Sequence, residues 1–441
     1  MYNNVITLSI ATLLLLSMQV EAKDNTNEWS LSGDLRGGYV KYDYDNPPLY
    51  IDKNGDVVGS SPTISRGHTD SQGSYIIPKI SITSPTYQNF ILKATLAGAT
   101  DFGINDEKYE KRTFVFDPNE RKSFMLLQEA YIKYGTKDHK VLIGREEIVT
   151  PMIDTDDWYM FANSFELAYY KNNSFSNTDI YAGYFSKMAG VWDSGANGTE
   201  FHSMSEASFV AKEDKERAGN KGVYFGAVEY NDNRHHNFKI WEYYAQDLYN
   251  TLFIQYDYLG RYSAMDYDFG LQFINFAGVG ALADHDSSVI NYSLYSAKFD
   301  GSFSNGFNFA TGASKYSDGD GQGTTLGAFG GYPYFANGMV FHFFEAGSLR
   351  NAASYKGQIG YNFTLFGIKN IWAGYRYTYY DLDSKYSFTL QNKAQSKMIL
   401  NGLQLKFEPK KGLYFRGTYE SVAIENEPDT YSLRLVGGYR F

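Results

Sequence analysis

The chain has 441 residues, with 40 Tyr, 32 Phe, 42 Gly, 10 Pro, no Cys and a net charge of −10. The acidic balance speaks against a nucleic-acid binder, which is normally basic, and the lack of Cys excludes a disulfide scaffold and thiolate metal sites. Mean hydropathy is −0.41, and after the first stretch no apolar run reaches the roughly 20 residues of a helical span, so any membrane crossing must use strands.

Val5 to Met18 is apolar and contains Leu13-Leu14-Leu15-Leu16; Val20-Glu21-Ala22 then offers small or branched residues where a signal peptidase reads. This predicts a signal peptide over 1–22, cleaved after Ala22, and a mature chain over 23–441. Glu21 is the only charged side chain lost, so the mature charge is −10 + 1 = −9. The run lacks a leading Lys or Arg; as an anchor or buried helix, the alternative, it is short for a span.

From Trp29 onward the pattern has period two. Trp29, Leu31, Gly33, Leu35, Gly37 and Tyr39 alternate with Ser30, Ser32, Asp34 and Arg36. The same alternation recurs at Tyr355 to Phe363, at Ile371 to Thr378, and at Thr430 to Phe441. A soluble sandwich would also alternate. Strands of about 9–11 residues and turns that alternate between short and long favour a transmembrane barrel instead.

Eight short turns are expected, near Pro85-Thr86, Thr136-Lys137, Asn173-Ser174, Asn233-Arg234, Gly260-Arg261, Gly301-Ser302, Phe366-Gly367 and Lys410-Lys411. They join sixteen strands, and the first and last make eighteen. The long connections between them become nine extracellular loops, including about 46–74, 101–123, 146–163, 188–221 and 317–353. Met339 to Glu345 resembles a strand, but counting it would reverse the polarity of everything after it, so it is assigned to the last of these loops. The predicted fold class is therefore all-β, a transmembrane antiparallel barrel of eighteen strands. The closing strand carries Tyr439 and ends on Phe441, the kind of ending read by the barrel assembly machinery.

Catalysis has little support. His68, His139, His202, His235, His236, His285 and His342 sit in no nucleophile motif and no metal-ligand spacing. The pair His235-His236 reads as solvated, and Asp318 to Gly323 reads as a flexible loop tip that lacks the order of a calcium loop. No cofactor, metal or catalytic residue is expected.

The lumen carries the stronger signal. Arg36, Lys356, Arg376, Lys406, Arg416 and Arg434 fall on the polar face of the first strand and the last four, which are neighbours once a barrel closes. An Arg facing hydrocarbon would cost about 2–4 kcal/mol, so these side chains should point inward as a basic wall. Pairing with Asp34 or Glu420 would weaken it as an anion guide. Glu129, Glu166, Asp257 and Asp268 are expected inward on the opposite side. Glu146, Glu147, Asp154, Asp156 and Asp157 lie in the loop after Arg145; folded inward, that loop would set up a transverse field that orients dipolar solutes.

Gly144-Arg145-Glu146-Glu147-Ile148-Val149-Thr150-Pro151-Met152-Ile153-Asp154-Thr155-Asp156-Asp157, followed by Met160 to Glu166, resembles OprD-type outer-membrane porins. So do Glu129-Ala130-Tyr131 and Phe329-Gly330-Gly331-Tyr332-Pro333-Tyr334, and the spacing agrees over most of the mature chain. The resemblance implies an eighteen-stranded barrel, an inward third loop over about 146–163 as constriction, an arginine-rich ladder in the lumen, and passage of small organic solutes that often carry a carboxylate. It allows a monomer or a loose homotrimer. This chain departs from the pattern at Trp158-Tyr159, where Ser-Arg is expected; aromatics there would offer a stacking surface for sugars or aromatic acids.

The function expected is passive, partly selective uptake of small polar solutes across the bacterial outer membrane, with lipid and lipopolysaccharide around the barrel. A non-selective general porin is the nearest alternative. An outer-membrane hydrolase would need a Ser or Asp beside a His at the lip, and a plugged receptor or adhesin usually has a plug domain or many more strands.

Overall fold

The computed structural model describes residues 28–44, 71–105, 122–155, 161–190, 199–208, 216–283, 291–319, 329–339, 348–366, 370–389, 392–427 and 429–441. The expected signal peptide lies outside these. Among the described residues eighteen strands form a single antiparallel sheet: Ser30–Tyr44 (β1), Ser71–Thr83 (β2), Phe90–Ala99 (β3), Phe124–Gly135 (β4), His139–Glu146 (β5), Ser164–Phe175 (β6), Thr178–Ala189 (β7), Val223–Asn231 (β8), His236–Ala245 (β9), Tyr249–Tyr262 (β10), Met265–Gly278 (β11), Asn291–Phe303 (β12), Phe307–Tyr316 (β13), Ala353–Asn362 (β14), Ile371–Asp381 (β15), Lys397–Lys410 (β16), Leu413–Ile424 (β17) and Thr430–Arg440 (β18). A two-residue segment, His202–Ser203, adds a short pairing to β7. Each strand pairs with its neighbours in sequence, and β18 returns to β1 in register from Asp34↔Arg440 to Tyr44↔Thr430, closing the barrel. Closure leaves no sheet edge with unpaired backbone groups, which is what a hydrocarbon environment demands.

Sequence alternation decides which way each residue faces. On the outer face Leu31, Ile80, Ile82, Leu92, Ile132, Ile143, Leu271, Ile359, Leu403 and Leu405 are exposed. So continuous an apolar girdle suits lipid and not water. The strands run from 8 to 15 residues, and more than half exceed the roughly 9–11 expected for a crossing. The extra length lies above the girdle, where inward residues such as Val40 and Tyr42 of β1 are buried.

Eight short connections lie on one rim, the one expected at Phe366-Gly367 partly outside the described residues. Three lie about three residues later than the sequence suggested: at Ser176-Asn177, Ser263-Ala264 and Ser304 to Gly306. At four of the turns Asn lets the chain reverse: Asn89, Asn177, Asn233 and Asn370 all take positive φ near 60°, a conformation its short polar side chain tolerates, while Ser263 and Gly306 take positive φ at two others. The opposite rim carries the loops, not all of them long. Between β9 and β10 only Gln246 to Leu248 intervene, with Asp247 at φ 58°.

The terminal residue is part of the closure. Phe441 and Gly33 exchange two backbone hydrogen bonds of 3.0 Å. A Cβ on Gly33 would lie 2.5 Å from the Phe441 ring and 2.8 Å from the Lys79 carbonyl oxygen, so the site requires glycine. Phe441 also stacks on Tyr439, with ring centroids 6.4 Å apart.

Candidate pore and constriction

Two loops enter the long-loop half of the lumen. The third loop leaves β5 at Glu146 and turns at Thr150 to Ile153, where the Thr150 N–H and hydroxyl both donate to the Ile153 carbonyl at 2.8 Å. Ile153 is fully buried, and the Met152 N–H reaches the Tyr243 hydroxyl of β9 at 3.5 Å. The inward course expected for this loop is therefore seen over its described residues. Asp156, Asp157, Trp158 and Tyr159 lie outside them.

The seventh loop also enters the lumen, contrary to its expected place as a plain extracellular loop. Its residues 333–339 step along the inner wall from β11 to β17. Gln272 of β11 donates to the Pro333 carbonyl at 2.8 Å. Phe335 crosses Gly312 of β13, where a Cβ would meet its carbonyl oxygen at 2.7 Å. Ser354 of β14 and Tyr380 of β15 donate to the Ala336 carbonyl at 3.0 and 3.3 Å. Thr378 donates to Asn337 at 3.1 Å and Arg376 to the Gly338 carbonyl at 2.8 Å. Finally the Met339 N–H donates to the Glu420 carboxylate of β17 at 2.6 Å. The loop is a strap, held by its backbone.

The two loops join. Ile153 bridges Phe329 and Gly330, and the Asp154 N–H donates to the Phe329 carbonyl at 3.2 Å. A Cβ on Gly331 would lie 2.3 Å from the Met152 carbonyl carbon, so Phe329-Gly330-Gly331 has the glycine this backbone contact needs. Together the loops line the wall from β5 to β17 and narrow the opening.

Around and below these loops the inner wall is polar. Arg36, Lys356, Arg376, Lys406, Arg416 and Arg434 all occupy inward positions, alternating with the girdle residues on their strands. Beyond the expected set, Lys79, Lys93, Lys133, Lys140 and Lys171 do the same on β2 to β6. Every strand from β14 round through β18 and β1 to β6 thus carries an inward cation.

Their partners differ. Arg36 pairs with Asp34 at 2.6 Å, Lys79 with Glu147 at 2.5 Å, Lys93 with Glu129 at 2.7 Å and Lys171 with Asp179 at 2.7 Å. Arg376 is held by neutral acceptors, the Gly338 carbonyl and Gln358 at 2.8 Å. Among the described residues Lys133, Lys140, Lys356, Lys406 and Arg416 have no carboxylate within ion-pair distance. Lys406 and Arg416 sit opposite each other in register, over the rings of Trp372 and Tyr414. The result is a lumen in which part of the basic arc is neutralised and part is open to an anion.

The barrel fold is met in solved structures. Pseudomonas aeruginosa OccK9 (OpdG) is 14% identical over 94% of this chain and 98% of its own, with a TM-score of 0.75. Acinetobacter baumannii OccAB4 is also 14% identical over 94% and 98%, with a TM-score of 0.74. Pseudomonas aeruginosa OpdK with vanillate is 13% identical over 93% and 98%, with a TM-score of 0.69. No family model and no curated protein matches the chain. The fold is that of the OprD-type porins.

Within that fold the expected acidic side needs correction. Glu166 faces Arg145 at 3.3 Å, on the parity of the exposed Ile143 and Tyr170, and so lies on the outer face at the loop rim. Asp257 and Asp268 do point inward, but Lys298 stands between them, 3.3 Å from Asp257, bonded to Asp268 and 3.9 Å from Asp300. Glu129 lies inside the basic arc and not across from it, because β4 is flanked by Lys93 and Lys140. Glu147 likewise pairs with Lys79 instead of standing free at the constriction. The lysines of β2 to β6 were legible in the same alternation: each lies an even number of residues from inward Tyr75, Thr95, Tyr131, Leu142 or Tyr169.

Proposed function

We propose that this chain is an outer-membrane channel for passive diffusion of small polar organic solutes, favouring those that carry a carboxylate. One observation carries the reading: a basic arc faces the lumen below the paired loops, with Lys133, Lys140, Lys356, Lys406 and Arg416 unneutralised by any carboxylate among the described residues. Fixed cations in a narrowed, low-dielectric passage raise the local anion concentration. Each contact stays weak enough for release because the cations are spread over many strands. The aromatic carboxylate named with OpdK belongs to that protein; its chemistry is the kind this arc would accept.

The reading includes an export signal over residues 1–22, residence among outer-membrane lipid and lipopolysaccharide, and assembly through the terminal Phe441. It assigns no enzymatic step. A non-selective porin differs in one measurable respect. Lys406→Gln with Arg416→Gln should lower benzoate flux in proteoliposomes and shift the reversal potential away from anions, with benzyl alcohol flux unchanged. Equal fluxes before and after would leave size as the only filter. An absence of ion conductance in planar bilayers would remove the channel reading itself.

A further inference from the structure

At the short-turn rim, strands β6 to β9 line a half-open cavity of about 460 Å³, beside the Lys171 end of the basic arc. Its lining comes from inward positions of four adjacent strands and their turns. We infer that it is a subsite for hydroxyl-rich solutes of monosaccharide size, placed where solute leaves the pore. The inference rests on the channel reading above.

The chemistry of the lining points to hydroxyl groups. Asn173, Asn177, Asn231, Asn233 and Asn237 supply five side-chain amides around one space. An amide presents donor and acceptor side by side, as a hydroxyl also does. Several of these groups are unspent. Asn237 has no side-chain hydrogen bond among the described residues. Asn231 uses its oxygen for the Asn233 N–H at 2.7 Å and leaves its NH₂ open. The cavity size lies within the range of small-molecule sites.

Two carboxylates sit at the floor, each already compensated. Asp179 and Glu229 are register partners on β7 and β8. Lys171 holds Asp179 at 2.7 Å, while Glu229 accepts from the Trp241 indole at 3.0 Å and has Lys239 at 3.9 Å. Two acids with two lysines make the patch close to neutral, so it suits neither a free carboxylate nor a free ammonium strongly. Their remaining lone pairs can accept from sugar hydroxyls. Phe175, 55% exposed at the cavity edge, offers an aromatic face to the C–H side of a pyranose.

The test uses the full channel in planar bilayers, with glucose as the probe and ion current as the readout. Glucose added on the short-turn side should interrupt the current in a concentration-dependent way, at lower concentration than from the loop side. Asn231→Leu with Asn237→Leu should raise the half-blocking concentration about tenfold, the loss expected for a hydrogen bond or two. Heat-modified gel migration confirms that the variant is folded. Asn237→Leu alone, at a strand end, serves if the double variant does not fold. A conducting channel that glucose never interrupts, or a folded variant with the same half-blocking concentration, overturns the inference. So does block by ethanolamine at lower concentration than glucose, which would make the site one for amines. A preparation that passes no ions would instead overturn the channel reading.

Discussion

If the seventh loop is a strap held by the wall, removing its two charged anchors should release it. Arg376 donates to the Gly338 carbonyl at 2.8 Å, and Glu420 accepts the Met339 N–H at 2.6 Å. Hydrogen bonds to charged groups contribute about 1.5–3 kcal/mol each, so Arg376→Leu with Glu420→Leu removes roughly 3–6 kcal/mol. The neutral contacts through Gln272, Ser354, Thr378 and Tyr380 remain, worth roughly 1 kcal/mol apiece. The charged pair therefore supplies about half of the hold or more, and its loss should shift strap occupancy by roughly 10² to 10⁴. Single-channel recordings should show larger conductance and more open-channel noise. The chain has no native Cys, so a lock can be added: a Cβ on Gly402 would lie 3.1 Å from Met339 Cγ. In the released background, Gly402→Cys with Met339→Cys should restore a quiet trace under oxidation and lose it under reductant. A folded Arg376→Leu, Glu420→Leu channel with wild-type conductance and noise would refute the strap.

Gly33→Val should push against the Phe441 ring and the Lys79 carbonyl oxygen, at a cost of about 1–3 kcal/mol, read as a lower temperature for loss of heat-modified gel migration; unchanged migration would show that the seam tolerates a side chain there. Gly331→Ala should separate the third and seventh loops, since its Cβ meets backbone at 2.3 Å, and should raise conductance without lowering barrel stability; a wild-type conductance would count against the junction. Asp232 accepts N–H groups of His236, Arg234 and His235, which hold its pKa down to about 2. A depressed pKa stabilises the turn above the ordinary carboxylate value and loses that contribution as pH falls through about 2, so NMR titration of the turn amides should find their midpoint there and not near 3.8. N-terminal sequencing of protein from outer membranes should begin at Lys23, and a retained Met1 would exclude the signal peptide.

The barrel was legible because a strand's period of two is written directly into its residues. Arg36 alternating with Leu35 and Gly37 fixes both the strand and the direction of the charge. The short turns were legible to within about three residues, the error arising where a strand continues in polar residues, as at Asn172 to Phe175. The third loop was legible through its resemblance. The acidic side was misread at Glu166 because parity was counted without a register: Arg145↔Glu166 at the loop rim places both outside. Asp257 and Asp268 were read without Lys298, a residue on the next strand that only pairing brings beside them.

The strap escaped notice for a physical reason that also reassigns the arc. Nearly every bond that holds it runs between its own backbone and a wall side chain, so its sequence carries almost no constraint beyond the glycines facing it. The constraint lies in the wall, at Ser354, Thr378, Arg376 and Glu420, scattered over β14 to β17. Arg376, which the alternation places beside Arg416 as an equal, is thereby occupied by carbonyl oxygens that give it acceptors without cancelling its charge. Arg416 and Lys406, nearer the short-turn rim, stand opposite each other over aromatic faces, with no carboxylate in ion-pair reach among the described residues. A solute carboxylate can bond to these two without displacing protein, whereas at Arg376 it must compete with the strap. If so, Lys406→Gln with Arg416→Gln should lower carboxylate flux at unchanged open-channel noise. Arg376→Gln should do the reverse, raising noise first and altering flux through the width of the opening. Identical signatures from the two variants would mean that strap and arc are not separate devices.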